Sequence, residues 1–506
     1  MFLWEILDNA ARAVADRTAL VDGRRRFSFA ELADLSNRVG ALAAGCTRPG
    51  ERIAIVSDNS ASYVAALYGV PRAGAVLVHG NTRHTVEEIG SLVRRCGATV
   101  LLTDRGQATR LEGLDAPSLR QRLVLDDALD TGGSDHAGTV PTVAGRRDGD
   151  LAWLMYTSGT TAAPKGVMLT HRSLLAASLN TTMARPVAAA EVYLFPFPLF
   201  HVAAYNVVHH HLRHRPVVLL PRFEPESAMA AIEAERVTSV SLAPTMLAML
   251  LDHPERPRHD LSSLRNVSYG AAAMPRELLL RCTTEWPAVG LSQGYGMTEL
   301  SGNAVFLSPE DHRLAATTRP ELLTAAGRPG PMAALRIVAH DGTDADPGQP
   351  GEILLRADQV CAGYFEDDDA TAAAMGDGWL RTGDVGRIDA EGYLHVVDRV
   401  KDIIVTGGEN VSSREVEDTL GTHPAVRQVA VVGTPDRRWG ELVTAVVVPA
   451  DPSRPPDLGD LRGTCGAMAG FKHPRRLVLV DELPTNASGK VDKRAVREAV
   501  AAGDGP

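Results

Sequence analysis

Short apolar runs rich in β-branched residues alternate along the chain with longer stretches whose apolar positions recur every three or four residues. Arg52–Val56 (RIAIV), 74–78 (GAVLV), 99–102 (TVLL) and 151–155 (LAWLM) read as strands, and the segments between them as helices, including 61–73. The rhythm returns at 216–220 (PVVLL) and 237–242 (VTSVSL). Strands without a polar face, joined by amphipathic connections, predict a parallel sheet covered by helices on both sides. Pro71 interrupts the 61–73 pattern and predicts an early end to that helix. Residues 131–147, rich in Gly, Ser and Asp, read as a loop.

The texture changes near residue 320. Turn-like and acidic clusters at 327–330, 341–351 and 366–369 separate short strands such as 335–338 and 351–355. Beyond Arg399 a compact α+β pattern follows: a helix at Ser413–Leu420, strands at 429–432 and 443–448, a helical stretch at 461–469 and a strand at 477–480. The expected architecture is α/β. A large N-terminal domain (1–398) of layered αβ subdomains, β-rich from about 320, leads through a hinge (399–402) to a small mobile α+β lid domain (403–506).

With 506 residues the chain is long enough to bury a core without covalent staples. The net charge of −10 argues against a nucleic-acid partner. Five scattered cysteines with no CxxC pair disfavour a disulfide framework or a thiolate zinc site and suit a reducing compartment. Glu5 and Asp8 interrupt any signal-peptide pattern, and no apolar run is of transmembrane length, so the expectation is a soluble, cytoplasmic protein.

The segment MYTSGTTAAPKGVMLTHR (155–172) carries the clearest chemistry. Thr157, Ser158, Thr160 and Thr161 surround Gly159, so hydroxyls and backbone N–H groups can form a concave anion cradle. Lys165 adds a point charge suited to a phosphate oxygen. The order differs from a Walker A loop, since the lysine precedes Gly166. The plain alternative is a Ser/Thr-rich surface loop.

YTSGTTAAPKG resembles the phosphate-loop signature of the adenylate-forming superfamily, which comprises acyl-CoA synthetases, standalone adenylation enzymes and luciferases. GYGMTE (294–299), RTGD (381–384), DRVKDIIVTGGENVSSREVE (398–417) and PTNASGKV (484–491) match further motifs in the family's order and spacing. The resemblance covers essentially the whole chain and is closest to the fatty-acid and aryl-acid CoA ligases. It implies that ATP and a carboxylic acid condense to an acyl-adenylate with release of pyrophosphate, and that CoA then takes the acyl group. ATP, Mg²⁺ and CoA are the implied cofactors and co-substrates.

Residue by residue, the resemblance implies that Glu299 binds Mg²⁺ and that Thr298 donates to the α-phosphate. Gly270, Ala271 and Ala272 would let the adenine stack close to backbone with Tyr295 as its aromatic neighbour, and Gly294, Gly296 and Met297 would also contact the nucleotide. Asp384, placed in a TGD turn, and Arg399 would hold the ribose. Lys490 would bridge carboxylate and phosphate during adenylation alone, and Lys401 would be the hinge residue. Gly407 and Gly408 would let the pantetheine arm pass, with Trp439, Phe471 and Arg475 at the nucleotide end of CoA. His201 would lie near the reacting carboxylate, and Asn206, Ala273, Met297 and Gly302 would line the acyl pocket. Amino-acid-activating relatives commonly carry an aspartate within the segment matching 198–205; none occurs here, so an uncharged tail is expected, fatty, alicyclic or aromatic.

Ala162 stands where the family usually has glycine. His209, His210, His211 and His214 suggest a metal site, yet no acidic or cysteine partner accompanies them in sequence, and a pocket-flanking helix is the preferred reading. Two rivals remain. One is a standalone ligase that loads the phosphopantetheine of an acyl carrier protein. The other is a serine hydrolase, because residues 290–294 (GLSQG) fit GxSxG.

Overall fold

The computed structural model describes residues 1–131, 145–157, 164–185, 188, 190–270, 274–339, 341–406, 409–485 and 491–502. The chain packs as two units, one of Met1–Ala334 with Arg356–Leu380, the other of Leu335–Leu355 with Arg381–Pro506.

Two sheets build the first unit. The smaller has the order Gln121–Val124, Val100–Thr103, Arg52–Val56, Val76–His79, Leu151–Thr157, Lys165–Thr170 and is parallel up to its antiparallel last pair. Its inner strands Val76–His79 and Val100–Thr103 are buried at every position, as expected of strands covered on both faces. The larger, nine-stranded sheet pairs Ser239–Leu242, Asn266–Gly270 and Gly290–Met297 in parallel and continues antiparallel into Gly302–Leu307. The main core draws Ile53 and Leu77 from one sheet, Tyr193, Phe195 and Val217 from the other, and helices Phe29–Cys46 and Ala61–Arg72. Near the N-terminus, helix Trp4–Val14 buries Ile6, Leu7 and Ala10. The Leu3 N–H donates to His171 Nδ1 (3.3 Å), which fastens this segment to the core.

The helix expected to stop early continues to Arg72 with Pro71 inside its last turn. Proline there leaves the Leu67 carbonyl without its helical donor, and Trp153 Nε1 donates to that oxygen instead (3.0 Å). A tryptophan from the neighbouring strand thus meets the demand that the proline creates.

In the second unit, Gly440–Pro449 pairs with Val426–Asp436 on one side and with Arg476–Leu479 in parallel on the other. Helices Ser413–Leu420 and Leu458–Thr464 cover one face through Val416, Leu420 and Leu461. Helix Lys493–Ala502 covers the other through Val496 and Val500. Among the described residues no helix is long and apolar enough to cross a membrane.

Two stability predictions follow from the core. Trp153→Phe leaves the Leu67 carbonyl buried and unpaired, and should cost about 2 kcal/mol, measured as a lower urea midpoint at unchanged m value. His79, His171 and His211 are each depressed by burial to about 3. The unfolded chain therefore binds more protons than the folded one between roughly pH 6.5 and pH 3. Stability is flat above that window and falls with decreasing pH inside it, by up to about 1.4 kcal/mol per pH unit for each histidine. Urea midpoints at pH 7.5, 6 and 5 should show that break.

Candidate active site

Strand Leu151–Thr157 returns as Lys165–Thr170, and Thr157 pairs directly with Lys165. The two ends of the candidate phosphate loop are therefore neighbours. Ser158, Gly159, Thr160, Thr161 and Ala162 lie outside the described residues. Gly166 sits where a Cβ would come within 2.9 Å of the Tyr156 ring. Lys165 Nζ lies 4.9 Å from the centroid of the Tyr364 ring, a cation–π geometry.

Gly290–Met297 ends in the single turn Thr298–Leu300, followed by Ser301 at φ +53°. Glu299 is 7% exposed, and its Oε1 accepts the Tyr364 hydroxyl at 3.0 Å. Burial and the neighbouring carboxylate push the Tyr364 phenol well up, so it is held as a donor. Backbone and amide bonds fix the turn: Cys361 N–H donates to Glu299 O (2.8 Å), and Gln359 Nε2 donates to Leu300 O (2.8 Å) and Asn303 O (3.0 Å). Gln359, 1% exposed, is held in turn by Asn180 Nδ2 (2.7 Å).

The glycines of this region answer first to the protein's own packing. A Cβ on Gly270 would lie 2.6 Å from Gly294 O, and one on Gly296 would lie 2.0 Å from Gly302 O. One on Gly294 would meet the Asn303 amide at 2.3 Å. Strand approach therefore requires glycine at Gly270 and Gly296 whatever lies beside them, whereas at Gly294 the neighbour is a side-chain amide. Tyr295, Met297 and Thr298 are half-buried on the same strand and turn. Ala271, Ala272 and Ala273 lie outside the described residues.

His201, half-buried, precedes the single turn Val202–Ala204 and helix Tyr205–Leu212, and its ring lies 4.8 Å from that of Phe200. Asn206 is buried, donates to Ala203 O (3.0 Å) and accepts from Arg185 (3.4 Å). Gly302 presses on the neighbouring Tyr205, where a Cβ would sit 2.9 Å from the ring. The fold thus brings Gly302 and the helix of Asn206 together.

The histidines of this helix are structural. His211 bonds the Tyr68 hydroxyl (2.8 Å) and Ala19 O (3.1 Å), and His209 bonds Thr182 (2.9 Å). The sequence showed no acidic partner, yet His210 pairs with buried Glu191 at 3.2 Å. Burial would raise the Glu191 pKa, but His210, Ser239 and the Ala188 N–H together outweigh it and the net shift is downward. The hydrolase motif also fails structurally. Ser292 lies inside a strand, is buried and bonds Ser268 Oγ (2.8 Å), so it occupies no exposed nucleophile turn.

In the second unit Asp384 and Arg399 are cross-strand partners, with Arg399 Nε 3.2 Å from Asp384 Oδ1. The expected TGD turn is instead part of strand Trp379–Ile388, within which Gly383 takes a left-handed φ of +70°. Lys401 lies in the single turn Val400–Asp402, and its carbonyl accepts from Arg497 (3.3 Å). Arg475 stacks over the Trp439 ring at 4.0 Å, with the Arg438 guanidinium 5.2 Å from the same ring. Phe471 packs against the core beneath helix Ser413–Leu420. Gly407, Gly408 and Lys490 lie outside the described residues.

Tyr364, Gln359 and Asn180 escaped the sequence reading. Their partners are 65 and 179 positions away for the Tyr364–Glu299 and Asn180–Gln359 pairs, and no local spacing reports such contacts. Among the described residues no cluster of three or more His, Cys, Asp or Glu could hold a metal alone. The buried carboxylate of Glu299 fits Mg²⁺, which typically takes one or two protein carboxylates together with substrate phosphates and water.

Residues 7–365 match the family model described as AMP-binding enzyme, and residues 415–490 match AMP-binding enzyme C-terminal domain. A feruloyl-CoA synthase of an Amycolatopsis species is 38% identical over 96% of both chains. An indoleacetate–CoA ligase of Aromatoleum aromaticum is 36% identical over 99% of this chain and 98% of its own. The solved o-succinylbenzoate CoA synthetase of Bacillus subtilis, in complex with ATP and magnesium ion, superposes with a TM-score of 0.85 at 30% identity, covering 98% of this chain and 99% of that one. The motif resemblance, the fold and these relatives agree, and the chain belongs to the AMP-binding enzyme family.

Proposed function

We propose that the chain is an AMP-forming acid–thiol ligase for carboxylic acids with an uncharged tail. It uses ATP, Mg²⁺ and CoA, with an acyl-adenylate as intermediate. The observation that carries this reading is the joint placement of Lys165 and Glu299 around Tyr364, at the closed neck of the phosphate loop. A carboxylate is a poor acyl electrophile, and condensing it with the α-phosphate supplies a good leaving group. The two reactants are both anions, so the site has to supply positive charge where they meet.

Lys165 would neutralise phosphate oxygens and Thr298 would donate to the α-phosphate. Mg²⁺, when bound, screens the phosphates and orients them, and Glu299 is its proposed protein ligand. Asp384 would accept the ribose hydroxyls. Its pairing with Arg399 orients the carboxylate, which supports a shared role for the two at the ribose. Lys490 would act in adenylation alone, with a rotation about Lys401 separating the two half-reactions. His201, Asn206, Met297 and Gly302 would border the acyl group, and the absence of an acidic residue from 198–205 supports an uncharged tail.

For CoA, Trp439 is proposed to contribute through its Arg475-stacked ring, so the guanidinium and the indole present one surface to an adenine or a phosphate. The packing of Phe471 supports a scaffolding part for that side chain.

A panel of ferulate, indoleacetate and a medium-chain fatty acid, scored by pyrophosphate release and by thioester formation with free CoA, tests the reading. At least one acid should give both products. Thioester formed only on a holo carrier protein would replace CoA as acceptor. Lys490→Ala should lower adenylate formation at least a hundredfold while thioester formation from supplied acyl-adenylate stays within about threefold. Equal loss in both steps would remove the assigned role.

A further inference from the structure

Segment 359–365 is laced to both halves of the candidate nucleotide site. On one side Ala362 N–H donates to Met168 O (2.9 Å), Met168 N–H to Gly363 O (3.0 Å) and Phe365 N–H to Gly166 O (2.7 Å), so the segment runs along the strand that leaves the phosphate loop. On the other side Cys361 N–H and the Gln359 amide hold Glu299, Leu300 and Asn303, as described above. Tyr364 is the side chain of this segment that meets a charged group on each side. Its hydroxyl is 3.0 Å from Glu299 Oε1, and its ring face is 4.9 Å from Lys165 Nζ. The residue is 9% exposed, and its own N–H is fixed by Thr371 Oγ1 (2.9 Å).

We propose that Tyr364 is a positioning residue: its hydroxyl orients the Glu299 carboxylate toward the metal, and its ring holds the Lys165 ammonium toward the phosphates, so that both charges meet a bound metal–nucleotide in fixed register. Tyrosine suits the task because it offers a directional donor to a carboxylate and a π face to a cation on one stiff side chain. Phenylalanine keeps the second contact and loses the first, whereas leucine loses both. The two halves of the role are therefore separable by substitution.

The inference rests on the reading of Glu299 as the metal-facing carboxylate, and the experiment tests the two separately. Binding of a non-hydrolysable ATP analogue is followed by calorimetry, with and without a Mg²⁺ titration, on the full-length wild type, Tyr364→Phe, Tyr364→Leu and Glu299→Gln, with thermal midpoints recorded for each. Tyr364→Phe should bind the metal-free analogue within twofold of wild type yet need about tenfold more Mg²⁺ for the half-maximal gain in affinity. Tyr364→Leu should show the same Mg²⁺ shift and, in addition, a several-fold loss of metal-free affinity that phenylalanine restores. A Mg²⁺ midpoint within twofold of wild type for Tyr364→Phe, with Glu299→Gln strongly shifted, overturns the role of Tyr364. An unshifted Glu299→Gln overturns the metal reading itself. Equal losses in Tyr364→Phe and Tyr364→Leu that follow the thermal midpoint reduce Tyr364 to a packing residue.

Discussion

Bringing a carboxylate against a polyphosphate is the constraint from which the arrangement follows. Two unit negative charges 4 Å apart repel by about 4 kcal/mol at an effective dielectric of 20. A mobile lysine on a loop would relieve part of that, but it would lose side-chain entropy on each encounter. In this chain the cation Lys165, and the carboxylate proposed to hold the second cation, Mg²⁺, are both positioned beforehand. Lys165 begins a strand paired to the incoming strand at Thr157, and Glu299 occupies a turn tied through Cys361, Gln359 and Asn180. Fixed charges and dipoles need no reorganisation when the reaction begins.

That rigidity comes from ordinary folding rules. Gly270 and Gly296 let adjacent strands approach closely, and strand Gly290–Met297 runs on past the end of Asn266–Gly270 to the turn that carries Thr298 and Glu299. Ser301 at φ +53° is an uncommon conformation for a residue with a Cβ. The Leu300 and Asn303 carbonyls on either side of it are both held by Gln359, so the strained residue sits between two fixed points.

The sequence disclosed what depends on neighbours in the chain. Apolar runs located Arg52–Val56 and Ser413–Leu420 to the residue, because burial on both faces or one helical stripe leaves a local period. The motifs disclosed the family because their residues are contiguous. Tertiary compensation stayed hidden. Pro71 read as a helix end because nothing nearby announces that Trp153 will serve the orphaned Leu67 carbonyl. His210 read as lacking an acidic partner because Glu191 meets it across the fold, and Tyr364 went unnoticed because its worth lies in two side chains from distant strands. The TGD segment read as a turn from composition, although a single left-handed glycine inside a strand gives the same letters.

Within the second unit, the proposed hinge is gripped from both directions. Asp398 Oδ2 accepts from the hydroxyls of Ser412 (3.2 Å) and Ser413 (2.8 Å) and from Arg414 N–H (3.2 Å), at the start of helix Ser413–Leu420. Arg497 bonds the Lys401 carbonyl and the Asp402 carboxylate, and Lys493, one turn earlier on the same helix, bonds Ser413 (2.6 Å) and Glu417 (2.8 Å). The helix that carries both cations begins three residues after Lys490. A change of backbone angle at Lys401 therefore has to break the Arg497 contact or pull on the helix that follows Lys490. The proposed hinge and helix Lys493–Ala502 are thus joined by side chains, so a rotation about the one acts on the other.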